Sequence, residues 1–128
     1  ADHTHASTGL QGGVLTLSKS LTIEAPTASE NVGIFCGVAG YTITKVRAVL
    51  VGSATPSVTW NLKYGTDRSA AGTAVWTVAK TTTGVTTGDT FTSFDNAAMT
   101  ADAWLWFIST AKSGTVTQIE VTVEYRLT

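Results

Sequence analysis

Cysteine, proline, histidine and charge are all scarce in this 128-residue chain. Cys36 is alone, which excludes a disulfide framework and any cysteine-based metal cluster and favours assembly in a reducing cytoplasm. The 8 Lys+Arg are matched by 9 Asp+Glu, and only 13% of residues are charged, against about a quarter in an average domain. So few scattered cations form no basic face, so nucleic acid is excluded as a partner. No apolar run approaches the roughly 20 residues of a membrane helix, and the start lacks the pattern of a signal peptide. An opening Ala1-Asp2 without Met is expected where an initiator Met has been removed.

Catalytic constellations are equally thin. His3 and His5 are the only histidines, and both fall in the expected arm, so a Ser-His-Asp or Cys-His site would need that arm to fold back. Cys36 sits in an apolar pattern and reads as an inert thiol. Asp89, Asp95 and Asp102 are spread over expected loops, where solvated acids are commoner than a paired-carboxylate site. The glycines lack the spacing and the Lys-Ser/Thr of a phosphate loop. The expectation is a protein that is not an enzyme. His3-Thr4-His5 puts two imidazoles on one side of an extended chain, and three copies would supply six. Two residues are weak evidence, so no metal and no cofactor are expected.

Apolar content of 43%, a mean hydropathy of +0.18 and 25 threonines describe a folded, β-rich domain rather than a disordered one. The first 20 residues differ from the rest. They hold both histidines and three of the 12 glycines, with no aromatic side chain. The division is therefore an extended N-terminal arm over residues 1–20 and a β-domain over residues 21–128. The arm's apolar anchors are Leu10, Val14, Leu15 and Leu17.

From residue 21 the period is two. Val58, Trp60, Leu62 and Tyr64 alternate with polar neighbours, as do Ile119, Val121, Val123, Tyr125 and Leu127. Further strands are expected at 21–24, 32–36, 42–51, 74–79, 90–94 and 104–110. Pro26, Gly40, Gly52 with Pro56, Gly65, Gly72, Gly84 with Gly88, and Gly114 separate them. Residues 95–103 allow a single helical turn. Eight short strands at this spacing predict an all-β fold, an antiparallel β-sandwich of jelly-roll-like or immunoglobulin-like form.

Two segments break the alternation. In 42–51, Val49 and Val51 point away from Val46, Ala48 and Leu50. Trp104, Leu105, Trp106, Phe107 and Ile108 are all apolar. A strand apolar on both faces is covered on both, either by a loop of its own chain or by a second subunit. The aromatic content favours the subunit, so Trp104, Trp106 and Phe107 are the expected oligomer interface. Trp76 has the opposite parity to Val75 and is the tryptophan expected on the surface, where it could stack on a sugar.

The opening Asp2-His3-Thr4-His5, followed by Thr8-Gly9-Leu10-Gln11-Gly12-Gly13, resembles a DHTH…TGLQGG segment of bacteriophage tail-fibre and head-fibre proteins. Residues 21–30, 44–46, 51–60, 66–69 and 113–116 extend the resemblance, in order, to a β-domain of phage structural proteins. The resemblance implies a virion structural protein attached as a homotrimer. At 128 residues the chain lacks the coiled coil and repeats of a long fibre, which favours a capsid decoration or short head-fibre protein. Its partner would be the major capsid protein or another virion protein, and its place the capsid surface of a particle assembled in host cytoplasm. The alternative is a receptor- or glycan-binding module at a fibre tip, with a cell-surface glycan bound by loops 53–56, 66–72 and 81–89.

Overall fold

The computed structural model of the chain describes residues 15–128. Among these, eight antiparallel strands and no helix are present: β1 Leu17–Glu24, β2 Asn31–Gly37, β3 Tyr41–Gly65, β4 Thr73–Ala74, β5 Lys80–Thr82, β6 Asp89–Phe91, β7 Ala98–Met99 and β8 Ala103–Leu127. Segment 95–103 forms no helical turn; its Ala98–Met99 pairs instead with Tyr41–Thr42.

The backbone of the fold is one long ribbon. β3 and β8, 25 residues each, pair from Tyr41↔Leu127 to Gly65↔Trp104. Four strands expected from sequence (42–51, 57–64, 104–110 and 118–127) are thus two. Gly52, Pro56 and Gly114, expected as breaks between strands, are instead where the ribbon bends. There the register slips from Ser53↔Thr115 to Ser57↔Ser113, leaving three residues opposite one. Ala54 (φ 59°) and Thr55 (φ 55°) hold left-handed backbone on one strand and Gly114 (φ 69°) on the other.

The bend folds the ribbon onto itself. Phe91 pairs with Val46 in one half, and its ring centroid lies 5.9 Å from that of Trp60 in the other. Fourteen residues of straight strand would separate Val46 from Trp60 by about 46 Å. The continuous sheet is therefore a sandwich of two leaves. The first leaf has order β1-β8-β3, with β6 and β7 on the outer edge of β3; the second has order β2-β8-β3, with β4 and β5 there.

The alternation predicted from sequence fills the space between the leaves. Val58, Trp60 and Leu62 meet Ile119, Val121 and Val123 from the other half, all fully or almost fully buried. The buried polar residues Asn61, Thr82 and Ser109 are paired. Trp60 Nε1 donates to Thr82 Oγ1 (2.9 Å), Asn61 Nδ2 donates to the Trp76 carbonyl (2.7 Å), and Ser109 Oγ donates to the Thr27 carbonyl (2.8 Å). Val49 and Val51 face outward without a covering layer, and Val51 is exposed.

β1 starts at Leu17, inside the stretch expected to be arm. Leu17, Lys19, Leu21 and Ile23 take the inward parity opposite Tyr125, Val123, Val121 and Ile119. Apolar residues at every second place from 17 to 23 continue one strand, broken only by Lys19.

Candidate functional site

The exposed features of the sandwich are set by strand parity and by the loops that cross it. On the outer face of the second leaf, β8 presents Trp104, Trp106 and Ile108 in a row. Trp106 is covered. The turn after β3 is ordered by Asp67, whose Oδ1 accepts from the Ser69 N–H (3.0 Å) and Ser69 Oγ (2.6 Å). These donors hold the Asp67 carboxyl below the usual carboxylate range. The turn lays the Arg68 guanidinium 4.5 Å from the Trp106 ring, where it also bonds Asn31 Oδ1, and brings Gly72 against the ring edge.

Sequence reasoning put Trp104, Trp106 and Phe107 together on an external interface. Trp106 is instead enclosed by this loop, and Phe107 is in the core, stacked on Trp60 at 5.5 Å. Only Trp104 remains on the surface, 45% exposed, with Cys36 and Gly65 as its small neighbours in register.

Trp76 also departs from its expected place. It is 2% exposed, its indole N–H donates to the Ser93 carbonyl (2.8 Å), and its ring meets Trp60, Phe91 and Phe94. Residues 75–78 are bends rather than the expected strand, so consecutive Val75 and Trp76 both turn inward. Period-two parity does not apply there. Asp95 secures this bend by accepting from the Thr77 N–H (2.7 Å) and Thr77 Oγ1 (3.1 Å). Those two donors, with Lys80 as a smaller contribution, depress its carboxyl.

The three acids are each engaged in a separate turn or bend. Asp95 is engaged by Thr77, Asp89 accepts from the Thr83 N–H (3.3 Å), and Asp102 lies in the turn entering β8, where its N–H bonds the Gly37 carbonyl (2.7 Å). No cluster of three or more His, Cys, Asp or Glu suited to a metal occurs among the described residues. His3, His5, Leu10 and Val14 lie outside the described residues. Of the remaining arm anchors, Leu15 is 53% exposed and Leu17 packs against the core.

Two depressions mark the surface. A polar groove of about 270 Å³ on the outer face of the first leaf is lined by Arg47, Val49, Thr87, Glu120, Thr122 and Glu124. Arg47 Nη2 is held there by the Thr87 carbonyl (3.2 Å).

The second is an aromatic cleft of about 350 Å³ at the end of the sandwich where β1 enters. Phe35 and Tyr125 stack at 5.1 Å and Tyr41 lies edge-on to Tyr125 at 5.1 Å. Lys19 Nζ sits 5.8 Å above the Phe35 ring, while Cys36, Val38 and Leu127 complete the rim. The Tyr41 hydroxyl is the one buried side-chain polar atom without a hydrogen-bond partner among the described residues. Burial first, then the neighbouring Tyr125, Cys36 and Tyr64, push its ionisation above the tyrosine range. The phenol is therefore neutral at physiological pH, and the cleft is an apolar pocket with one cation at its edge. Sequence parity marked Tyr125 as inward, but nothing in a single strand showed that β2 and β8 leave an opening there.

This fold recurs in proteins of known structure. The chain superimposes on a capsid protein of Ralstonia phage GP4 with a TM-score of 0.60, at 12% identity over 91% of this chain and 86% of that one. It superimposes on the CBM32 of AlyQ, solved in complex with 4,5-unsaturated mannuronic acid, with a TM-score of 0.54, at 18% identity over 81% of this chain and 75% of that one. No family model matches the chain, and no curated protein matches it in sequence. At such identities the likeness establishes the all-β sandwich, and function has to be argued from the residues.

Proposed function

We propose that this protein is a non-catalytic structural component of a bacteriophage virion, a capsid decoration or short head-fibre protein attached through its N-terminal residues. The supporting observation is the sandwich shared with the Ralstonia phage GP4 capsid protein along nearly the whole of both chains. The DHTH…TGLQGG resemblance at the N-terminus points the same way. The proposed assembly is a homotrimer on the capsid surface whose sandwich contact centres on Trp104. Low charge suits identical copies packed at high local density, because it limits their mutual repulsion.

The structure changes how the attachment experiment is designed. Removing residues 1–20 would cut away Leu17–Ser20, half of β1, and expose Tyr125. Removal of residues 1–14 spares every described strand. We expect that truncation to abolish rebinding to virions stripped of this protein, with the far-ultraviolet spectrum and a cooperative melt of the sandwich retained. Undiminished rebinding would overturn the attachment role.

A second reading, a glycan-binding module at a fibre tip, is supported by the fold shared with the CBM32 and by the exposed Trp104. An indole face contributes about 0.5–1.5 kcal/mol in a stacked contact, up to roughly tenfold in affinity. On a glycan array, Trp104→Ala is expected to weaken any reproducible signal by that factor. A signal unaffected by the substitution removes Trp104 as a sugar platform.

A further inference from the structure

The aromatic cleft has a feature that the virion reading leaves unexplained. Apolar side chains are gathered on its rim in contact with solvent: Val38 is 82% exposed and Leu127 54%. Leu15, 53% exposed, precedes the Leu17↔Tyr125 pair and so lies toward Leu127 at the same end. Beneath them the Tyr41 phenol is buried without a partner. Exposed apolar residues grouped around a concave aromatic floor are characteristic of a surface that receives another apolar group.

The position of the chain indicates which group that is. The described residues begin at Leu15, two residues before the Leu17↔Tyr125 pair that borders the cleft, and fourteen residues precede it. Leu10 is five residues back, so a connecting chain reaches at most about 18 Å from Leu15. Between them lies Gly12-Gly13, a pair that accommodates a tight reversal of direction. A reversal at that pair would bring Leu10 within reach of the cleft. The segment from Ala1 to Leu10 carries one acid, Asp2, and no Lys or Arg, so it brings little charge into an apolar pocket.

We propose that the cleft formed by Phe35, Tyr41, Tyr125, Leu127 and Val38 is the seat of the chain's own N-terminal segment, with the Leu10 side chain as its anchor. The tether makes this an intramolecular contact, favoured by a high effective concentration over capture of a segment from a second copy. In the free protein the attachment segment is stowed on its own sandwich, and it must leave the cleft before it engages a capsid. The inference does not depend on the virion reading, because it concerns the protein alone in solution.

Cys36 provides the test, since it is the only thiol and lines the cleft. The rate of Cys36 alkylation by iodoacetamide is measured in the full-length protein and in Leu10→Asp, with Leu10→Met as the conservative control. Leu10 precedes the first described strand, so all three proteins are expected to fold, with Leu10→Asp melting a few degrees below the other two because it loses the seated state. Seating of Leu10 predicts that Leu10→Asp reacts about tenfold faster than the wild type, the population ratio one buried leucine can sustain, and that Leu10→Met does not. The wild-type rate is expected to be independent of protein concentration. Equal rates in wild type and Leu10→Asp would overturn the proposal. So would protection that vanishes on dilution, which would assign the cleft to a segment from a second copy.

Discussion

Trp60→Ala is expected to lower the melting temperature by roughly 10–20 °C, from a loss of about 3–5 kcal/mol at about 3–5 °C per kcal/mol. Trp60 is fully buried where the two leaves meet. Its ring touches Trp76 at 5.5 Å, Phe107 at 5.5 Å and Phe91 at 5.9 Å, and its N–H bonds Thr82 at 2.9 Å. Removal leaves a cavity bounded by three other aromatic rings, one of them, Trp76, held in place by its hydrogen bond to the Ser93 carbonyl. A domain has only about 5–15 kcal/mol of net stability, so this single change removes a large part of it. Trp60→Phe keeps most of the volume but strands the Thr82 hydroxyl, for an intermediate loss of about 1–3 kcal/mol. Circular dichroism melts of the three proteins check the order. A Trp60→Ala loss below about 1 kcal/mol would contradict the packing described.

Gly52→Ala is the second large effect, and it acts on the bend rather than on the core. A Cβ on Gly52 would lie 2.1 Å from the Thr115 carbonyl oxygen and 3.1 Å from Pro56 Cβ. The obstructing atom is backbone of the partner strand, so relief requires moving β8 where the ribbon folds over. The expected cost is about 1–3 kcal/mol or more, seen as a lower urea midpoint. Gly33→Ala is the internal control. It stands in β2 with nothing within 4 Å of an added Cβ, and a change within about 0.5 kcal/mol is expected there. Equal midpoints for the two variants would show that the bend tolerates a side chain and would remove Gly52 as a determinant of the sandwich.

The two predictions correspond to the two kinds of information in the chain. Trp60 was identifiable from sequence as a core residue, because Val58, Trp60, Leu62 and Tyr64 share one face whenever the segment is a strand. Val121, Val123 and Tyr125 were identifiable in the same way, and all are buried. Gly52 was recognisable as an interruption but not as a bend. A glycine followed four residues later by a proline reads as the end of a strand, and only the pairing of Ser53 with Thr115 and Ser57 with Ser113 carries the ladder past it.

The candidate site was less legible. Trp104 and Trp106 have the same parity, the same residue type and nearly the same local sequence, yet one is exposed and the other covered. The difference comes from Arg68, 36 positions earlier than Trp104, whose loop reaches one ring and not the next. Trp76 was misplaced for a related reason, since a bend stabilised by Asp95 overrides the alternation expected of a strand. The aromatic cleft combines residues from β1, β2, β3 and β8, and no single segment contains its outline.

By itself, the sequence determined the all-β class and the inward face of the alternating segments 58–64 and 119–125. These depend on composition and on a period of two, both local properties. The tertiary structure alone decided that four expected strands are one folded ribbon and which tryptophan meets solvent. It alone showed that the entering chain passes the rim of an apolar cleft. Parity assigns a side chain to a face, but what covers that face arrives from distant parts of the chain, and its position is a property of the packed whole.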